Sequence, residues 1–129
     1  MGPIPEEVRC FADRSIESID QLEILRVLAE NPNKEWDPAF LAAAIQTEPR
    51  AVVAHLMALH ARGLLVVERR ATECVARHGP HTAELSDQVG RLLHFYRERP
   101  VSMIKMIYDQ AKSPLRNFAD AFRLRKGEG

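Results

Sequence analysis

The sequence has no run of apolar residues close to the roughly 20 that a membrane-crossing helix needs. Its opening, Met1-Gly2-Pro3-Ile4-Pro5-Glu6-Glu7, has neither the basic nor the apolar region of a secretory leader, so a cytoplasmic protein without a membrane partner is expected. There are only two cysteines, Cys10 and Cys74, and no paired-cysteine motif, which suggests two free thiols in a reducing compartment. Cys74, His78 and His81, with Glu84 or Cys10 as a fourth ligand, are near one another in sequence and bear on zinc. On a strand, however, positions 74 and 78 stand about 13 Å apart, too far to share an ion. Phosphate-binding loops, dinucleotide glycine motifs and nucleophile elbows are all missing, and the histidines form no sequence-visible triad. The expectation is a non-enzyme with no cofactor and no metal.

An excess of either charge is lacking too: 18 basic side chains face 18 acidic ones. They are unevenly spread. Residues 1–48 hold 4 basic and 10 acidic groups, residues 49–98 hold 7 and 5, and residues 99–129 hold 7 and 3. A nucleic-acid-binding surface draws most of its non-specific affinity from neutralised phosphates, so here it must be local. Against these absences stands a hydrophobic content of 46% over 129 residues, enough for one packed core.

The periodicity is helical at first. Residues 5–16 carry Val8 and Phe11 and read as a short helix or arm. Ser18-Ile19-Asp20-Gln21 fits a capping box, in which Gln21 would return a bond to the cap. Leu22, Leu25, Leu28 and Ala29 then recur at helical spacing until Asn31-Pro32-Asn33. Asp37-Pro38 starts a second helix with Phe40, Leu41, Ala44 and Ile45 as its apolar positions, and Trp36 is expected as a lid on the core. Thr47-Glu48-Pro49 repeats the start signal almost at once, and the third helix ends at Gly63. The pattern becomes extended over Leu64–Arg69, turns at Arg70-Ala71-Thr72 and returns over Glu73–His78. Beyond Gly79-Pro80, Thr82 caps a helix with Leu85, Val89, Leu92, Leu93 and Tyr96 on one face. A segment from Pro100 carries Val101, Ile104, Ile107 and Tyr108, with Met103 and Met106 beside them. Ser113-Pro114 opens a last helix, with Leu115, Phe118, Ala119 and Phe122 inward and Arg116, Arg123, Arg125 and Lys126 outward.

Trp36-Asp37-Pro38-Ala39-Phe40-Leu41-Ala42, followed by Val52, Leu56, Leu59 and Gly63-Leu64-Leu65, resembles the winged helix-turn-helix domains of bacterial regulators of the MarR and ArsR type. The resemblance covers about residues 18–78. It implies a mainly α fold with a small β-hairpin, the wing, and a helical C-terminal extension. The corresponding division is an arm over 1–17, the winged unit over 18–80, helices over 81–126 and a tail over 127–129.

In such a fold the third helix enters the major groove and the wing reaches phosphates or the minor groove. With Val52, Leu56 and Leu59 inward, the outward set on the third helix is Arg50, Ala51, Val53, Ala54, Met57 and Ala61, flanked by His55 and His60. Only Arg50 can make a bidentate guanine contact. Candidate DNA-contacting residues are therefore Arg50, His55, Arg69, Arg70 and Arg77, on duplex DNA bound by a homodimer. The alternative is an assembly module without DNA, in which Val53, Met57, Met103 and Met106 hold another protein.

Overall fold

The computed structural model describes residues 4–112. The expected last helix, with Leu115 to Phe122 and its basic flank Arg116, Arg123, Arg125 and Lys126, lies outside the described residues.

Helix α1 (Glu6–Ser15) starts with two acidic residues and ends near Arg14, charges that suit the ends of the helix dipole. It buries Val8, Phe11 and Ala12. Helix α2 (Ile19–Glu30) begins at Ser18, whose hydroxyl accepts the Gln21 amide at 3.3 Å. The reciprocal bond is displaced by one residue from the expected box: the Gln21 side-chain oxygen accepts from the backbone N–H of Glu17, at 2.9 Å. Leu22, Ile24, Leu25 and Leu28 make α2 the central element, buried on most of its circumference.

Helix α3 (Pro38–Ile45) has Asp37 as its cap, the carboxylate accepting the Phe40 N–H at 2.8 Å. Its apolar positions are not used as the spacing predicts. Leu41 and Ala42 are buried, whereas Phe40 is 68% exposed and Ala44 faces solvent. An eight-residue helix of PAFLAAAI is apolar all round, so contact with α2, not periodicity, selects the buried side. Gln46, at φ 60°, stops α3 in the left-handed conformation, and helix α4 (Pro49–Ala61) follows after a short turn. Glu48 precedes the proline at the N-terminus of α4 without a side-chain cap.

Gly63, at φ 77°, closes α4 and turns the chain into strand β1 (Leu65–Arg70), which pairs antiparallel with β2 (Glu73–His78). The register runs from Leu65 opposite His78 to Arg70 opposite Glu73, leaving Ala71-Thr72 as a two-residue loop. Trp36 adds a one-residue bridge to the free edge of β2, exchanging both backbone hydrogen bonds with Ala76 at 2.9 and 2.8 Å. Trp36 therefore pins the hairpin to the loop before α3 as well as packing against the core.

Thr82 caps helix α5 (Ala83–Glu98) through the Leu85 N–H, at 3.0 Å. Val89, Leu92 and Leu93 are its buried stripe. Helix α6 (Pro100–Lys112) is rotated relative to the expected face. Met103 and Ile107, one turn apart, are fully buried, while Val101, Ile104 and Tyr108 are exposed. The helix carries apolar residues on two flanks, and only one can meet α1, α2 and α5. Met103 is thus packed in the interior and is not a surface offered to a partner. Residues from α1, α2, α5 and α6 share one hydrophobic cluster with those of α3, α4 and the hairpin. No helix among the described residues is long and apolar enough to cross a membrane.

Candidate nucleic-acid interface

Helix α4 owes its orientation to its inner side and to two polar ties. Val52, Leu56 and Leu59 are completely buried, worth roughly 1.5–3 kcal/mol per side chain of this type. Near mid-helix, the Gln21 amide nitrogen donates to His55 Nδ1 at 3.2 Å, and Gln21 is itself buried. An amide nitrogen only donates, so His55 Nδ1 accepts, leaving Nε2 to face Asp20 at 3.9 Å. Beyond the C-terminal end, Arg62 donates to the Ser15 carbonyl at 3.0 Å and to Glu17 Oε1 at 2.7 Å. Together they join α4 to the α1–α2 junction.

These ties decide what α4 can show. His55, a candidate DNA contact by sequence, is half-buried and turned toward α2. It positions the helix and is not part of the outward face. That face carries Arg50 at its N-terminal end, then Val53, Ala54 and Met57, the methionine 51% exposed. Arg50 forms no ion pair among the described residues. Met106, the remaining candidate for a protein-holding surface, is half-buried against the core beside α1.

The three wing arginines differ sharply. Arg70 clamps Glu35 with both terminal nitrogens, at 2.6 and 2.5 Å, and also reaches Glu68 at 3.1 Å. Arg77 donates to the other Glu68 oxygen at 3.0 Å. Arg77 first and Arg70 second hold the Glu68 carboxyl below the usual carboxylate range. Arg70 and Arg77 are thus matched by Glu35 and Glu68 into a locally neutral network, whereas Arg69 is exposed and unpaired among the described residues. Sequence reasoning singled out the arginines and missed both carboxylates. Glu68 was within reach, since β alternation puts it on the face of Arg70 and diagonal to Arg77 across the register. Glu35 was not, because only the Trp36–Ala76 bridge brings it to the hairpin.

The metal-ligand types noted in the sequence are placed apart. Cys74 and His78 sit on β2, while the His81 ring meets His60 edge-on, centroids 5.8 Å apart. Burial pushes the His78 imidazole below its ordinary value.

Two helices joined by a short turn, the second with an outward face, lead directly into a two-stranded hairpin pinned by a third strand stub. The fold is a winged helix-turn-helix. No protein-family model matches the chain, and no curated protein does. Solved structures do share the architecture. It is similar to the AntR antimony-specific transcriptional repressor, with a TM-score of 0.54 and 22% identity over 67% of this chain and 75% of that one. The homodimeric winged helix-turn-helix DNA-binding domain of Mb0332 from Mycobacterium bovis, a possible ArsR-family regulator, superposes with a TM-score of 0.52 and 17% identity, covering 77% and 92%. A point mutant of S. aureus MepR bound to an oligodeoxyribonucleotide gives 0.51 and 17%, covering 93% and 86%. At such identities the likeness is one of fold.

Proposed function

We propose that this protein is a non-enzymatic, DNA-binding transcriptional regulator that acts as a homodimer. The observation that carries the reading is the presence of two guanidinium groups unpaired among the described residues, Arg50 at the start of the outward face of α4 and Arg69 near the hairpin turn, on a winged helix-turn-helix. A transcriptional repressor and an oligodeoxyribonucleotide-bound protein of the same fold support it. Arg50 stands where a bidentate guanine contact is made from a helix in the major groove, and Arg69 where a wing meets phosphate. Val53 and Met57 can contribute apolar contacts to thymine methyl groups. Dimerisation rests on Val101, Ile104 and Tyr108, an exposed apolar flank of α6, and on the homodimeric state of the Mb0332 domain.

Fluorescence anisotropy with random duplex DNA, at low and at physiological salt, tests the proposal. Micromolar binding that weakens steeply with salt is expected, because each neutralised phosphate adds roughly −0.9 to the slope of log K against log salt. Arg50→Ala with Arg69→Ala should lower both the affinity and the slope. Absence of binding at low salt would sink the DNA reading.

A second reading is favoured by one feature. Phe40, Val53 and Met57 are exposed on adjacent helices α3 and α4, with Phe40 at 68%. Apolar surface of this kind also suits a protein partner. On that reading the anisotropy stays flat at low salt, and Met57→Glu disrupts a protein complex that Arg50→Ala leaves intact.

A further inference from the structure

Away from α4 and the hairpin, α1 and α6 flank an open cavity of about 340 Å³, large enough for a small metabolite. Its charge is lopsided. Arg9 comes from α1, Arg99 from the α5–α6 junction and Lys105 from α6. Among the described residues none of these three cations forms an ion pair. Asp109 is the single carboxylate in the lining among the described residues, which there leave a surplus of two positive charges. The contrast with the wing is informative. There Arg70 and Arg77 are neutralised by Glu35 and Glu68, but here three cations share a lining with one acidic group.

Gln110 lines the same cavity, although its side-chain oxygen is buried out of reach of solvent. The Ser102 hydroxyl adds a further donor and acceptor, while Ile4 and Met106 supply an apolar wall.

We propose that the α1–α6 cavity binds a small hydroxylated phosphate monoester, of the sugar-phosphate class. A phosphate dianion matches the surplus charge, and guanidinium groups hold phosphate oxygens in a bidentate fork. Hydroxyl groups of the ligand donate to the Asp109 carboxylate. The carbon skeleton lies against Ile4 and Met106. No residue of α4 or the hairpin lines the site, so occupancy can be read without DNA, and the proposal stands or falls separately from the regulatory one.

Isothermal titration calorimetry of the full chain with glucose 6-phosphate is the test, with glucose, inorganic phosphate and succinate as separate titrants. Saturable binding of glucose 6-phosphate is expected, about tenfold or more tighter than any of the other three. Arg9→Gln and Lys105→Gln should each weaken it by about tenfold, the worth of one lost charge-assisted hydrogen bond. Both side chains are exposed, so the melting temperature should barely move. Arg97→Gln, an exposed substitution on α5 outside this cavity, should leave binding unchanged. Equal binding of inorganic phosphate would overturn the hydroxyl recognition, and equal binding of succinate the phosphate recognition. No binding by about 10 mM, or binding indifferent to both substitutions, would overturn the site itself.

Discussion

Ala71 closes the hairpin at φ 52°, where an L side chain crowds its own backbone. Arg70 before the two-residue loop and Glu73 after it are paired in the ladder, so the strain is not relieved by a change of register. Ala71→Gly is predicted to stabilise the protein by about 1 kcal/mol, seen as a rise of a few degrees in melting temperature. An unchanged or lower melting point would remove the claim of strain. Gly63 shows the same constraint met by the right residue: at φ 77°, with the His81 ring and Leu85 only 3.3 Å from where a Cβ would stand, it ends α4 with no side chain in the way.

Tyr96 donates to Glu23 across α5 and α2, and the pair predicts behaviour at both ends of the pH scale. Burial first, then the bond to Glu23, pushes the Tyr96 phenol up to about 12 from its usual 10.0. A raised acid contributes stability that is complete below 10 and is lost as pH climbs through 12. Arg26, opposed in part by burial and aided by Tyr96, holds the Glu23 carboxyl below its usual 4.5. That contribution is complete above 4.5 and is lost as pH falls through the lower value. Spectrophotometric titration of the phenols should show a component near 12 that Tyr96→Phe abolishes. Thermal melts of that variant should lose the alkaline part of the wild-type decline and keep the acid part due to the Glu23–Arg26 contact.

At the scale of the element, the wing is a charge-balanced hairpin and not a basic one. Glu68 holds Arg70 and Arg77 at once, and Glu35 competes for Arg70 with any phosphate. Exposed ion pairs contribute little to stability, so their effect is on how many cations the wing can offer. Glu68→Gln is predicted to raise affinity for random duplex DNA several-fold at low salt and to steepen the salt slope by about one. A melting temperature within a degree or two of wild type would show that the fold is undisturbed. An affinity unchanged by Glu68→Gln would place the wing off the DNA.

The ends of the helices are written in short stretches of sequence. The caps at Ser18, Asp37 and Thr82, the prolines opening α3, α4 and α6, and the glycine after α4 all work over three or four residues and are visible as local patterns. The inward set of α4, Val52, Leu56 and Leu59, was legible because the three recur at i, i+4 and i+7 and run straight into Gly63-Leu64-Leu65. Phe40 on α3 and Met103 on α6 were misplaced because their helices have apolar residues on more than one side. His55 was misread for a related reason: its partners, Gln21 and Asp20, lie over thirty positions away in the chain.

For the whole molecule, the outer helices are part of the core and do more than extend it. α1 packs on α5 and α6, and α2 touches both, so Phe11, Leu22, Leu92 and Ile107 belong to a single cluster. Besides Phe40, Val53 and Met57, the other flank of α6 lies outside it, with Val101 78% exposed and Ile104 and Tyr108 beside it at helical spacing. Light scattering across micromolar concentrations should therefore find a dimer, and Val101→Glu with Tyr108→Glu should convert it to a folded monomer. A monomeric wild type would refute the dimer and, with it, two-fold recognition of DNA.

The order and limits of the helices and strands follow from the sequence itself, since capping side chains, prolines and turn glycines act on neighbours within a turn of helix. The tertiary structure alone decided which apolar faces are buried and which arginines are free. Burial on α3 and α6 depends on the surfaces they meet, and the charge of the wing depends on Glu35, carried to Arg70 across 35 positions of sequence by one backbone bridge. Packing and electrostatics act through space, and a pattern read along the chain holds only the part of space that lies close in sequence.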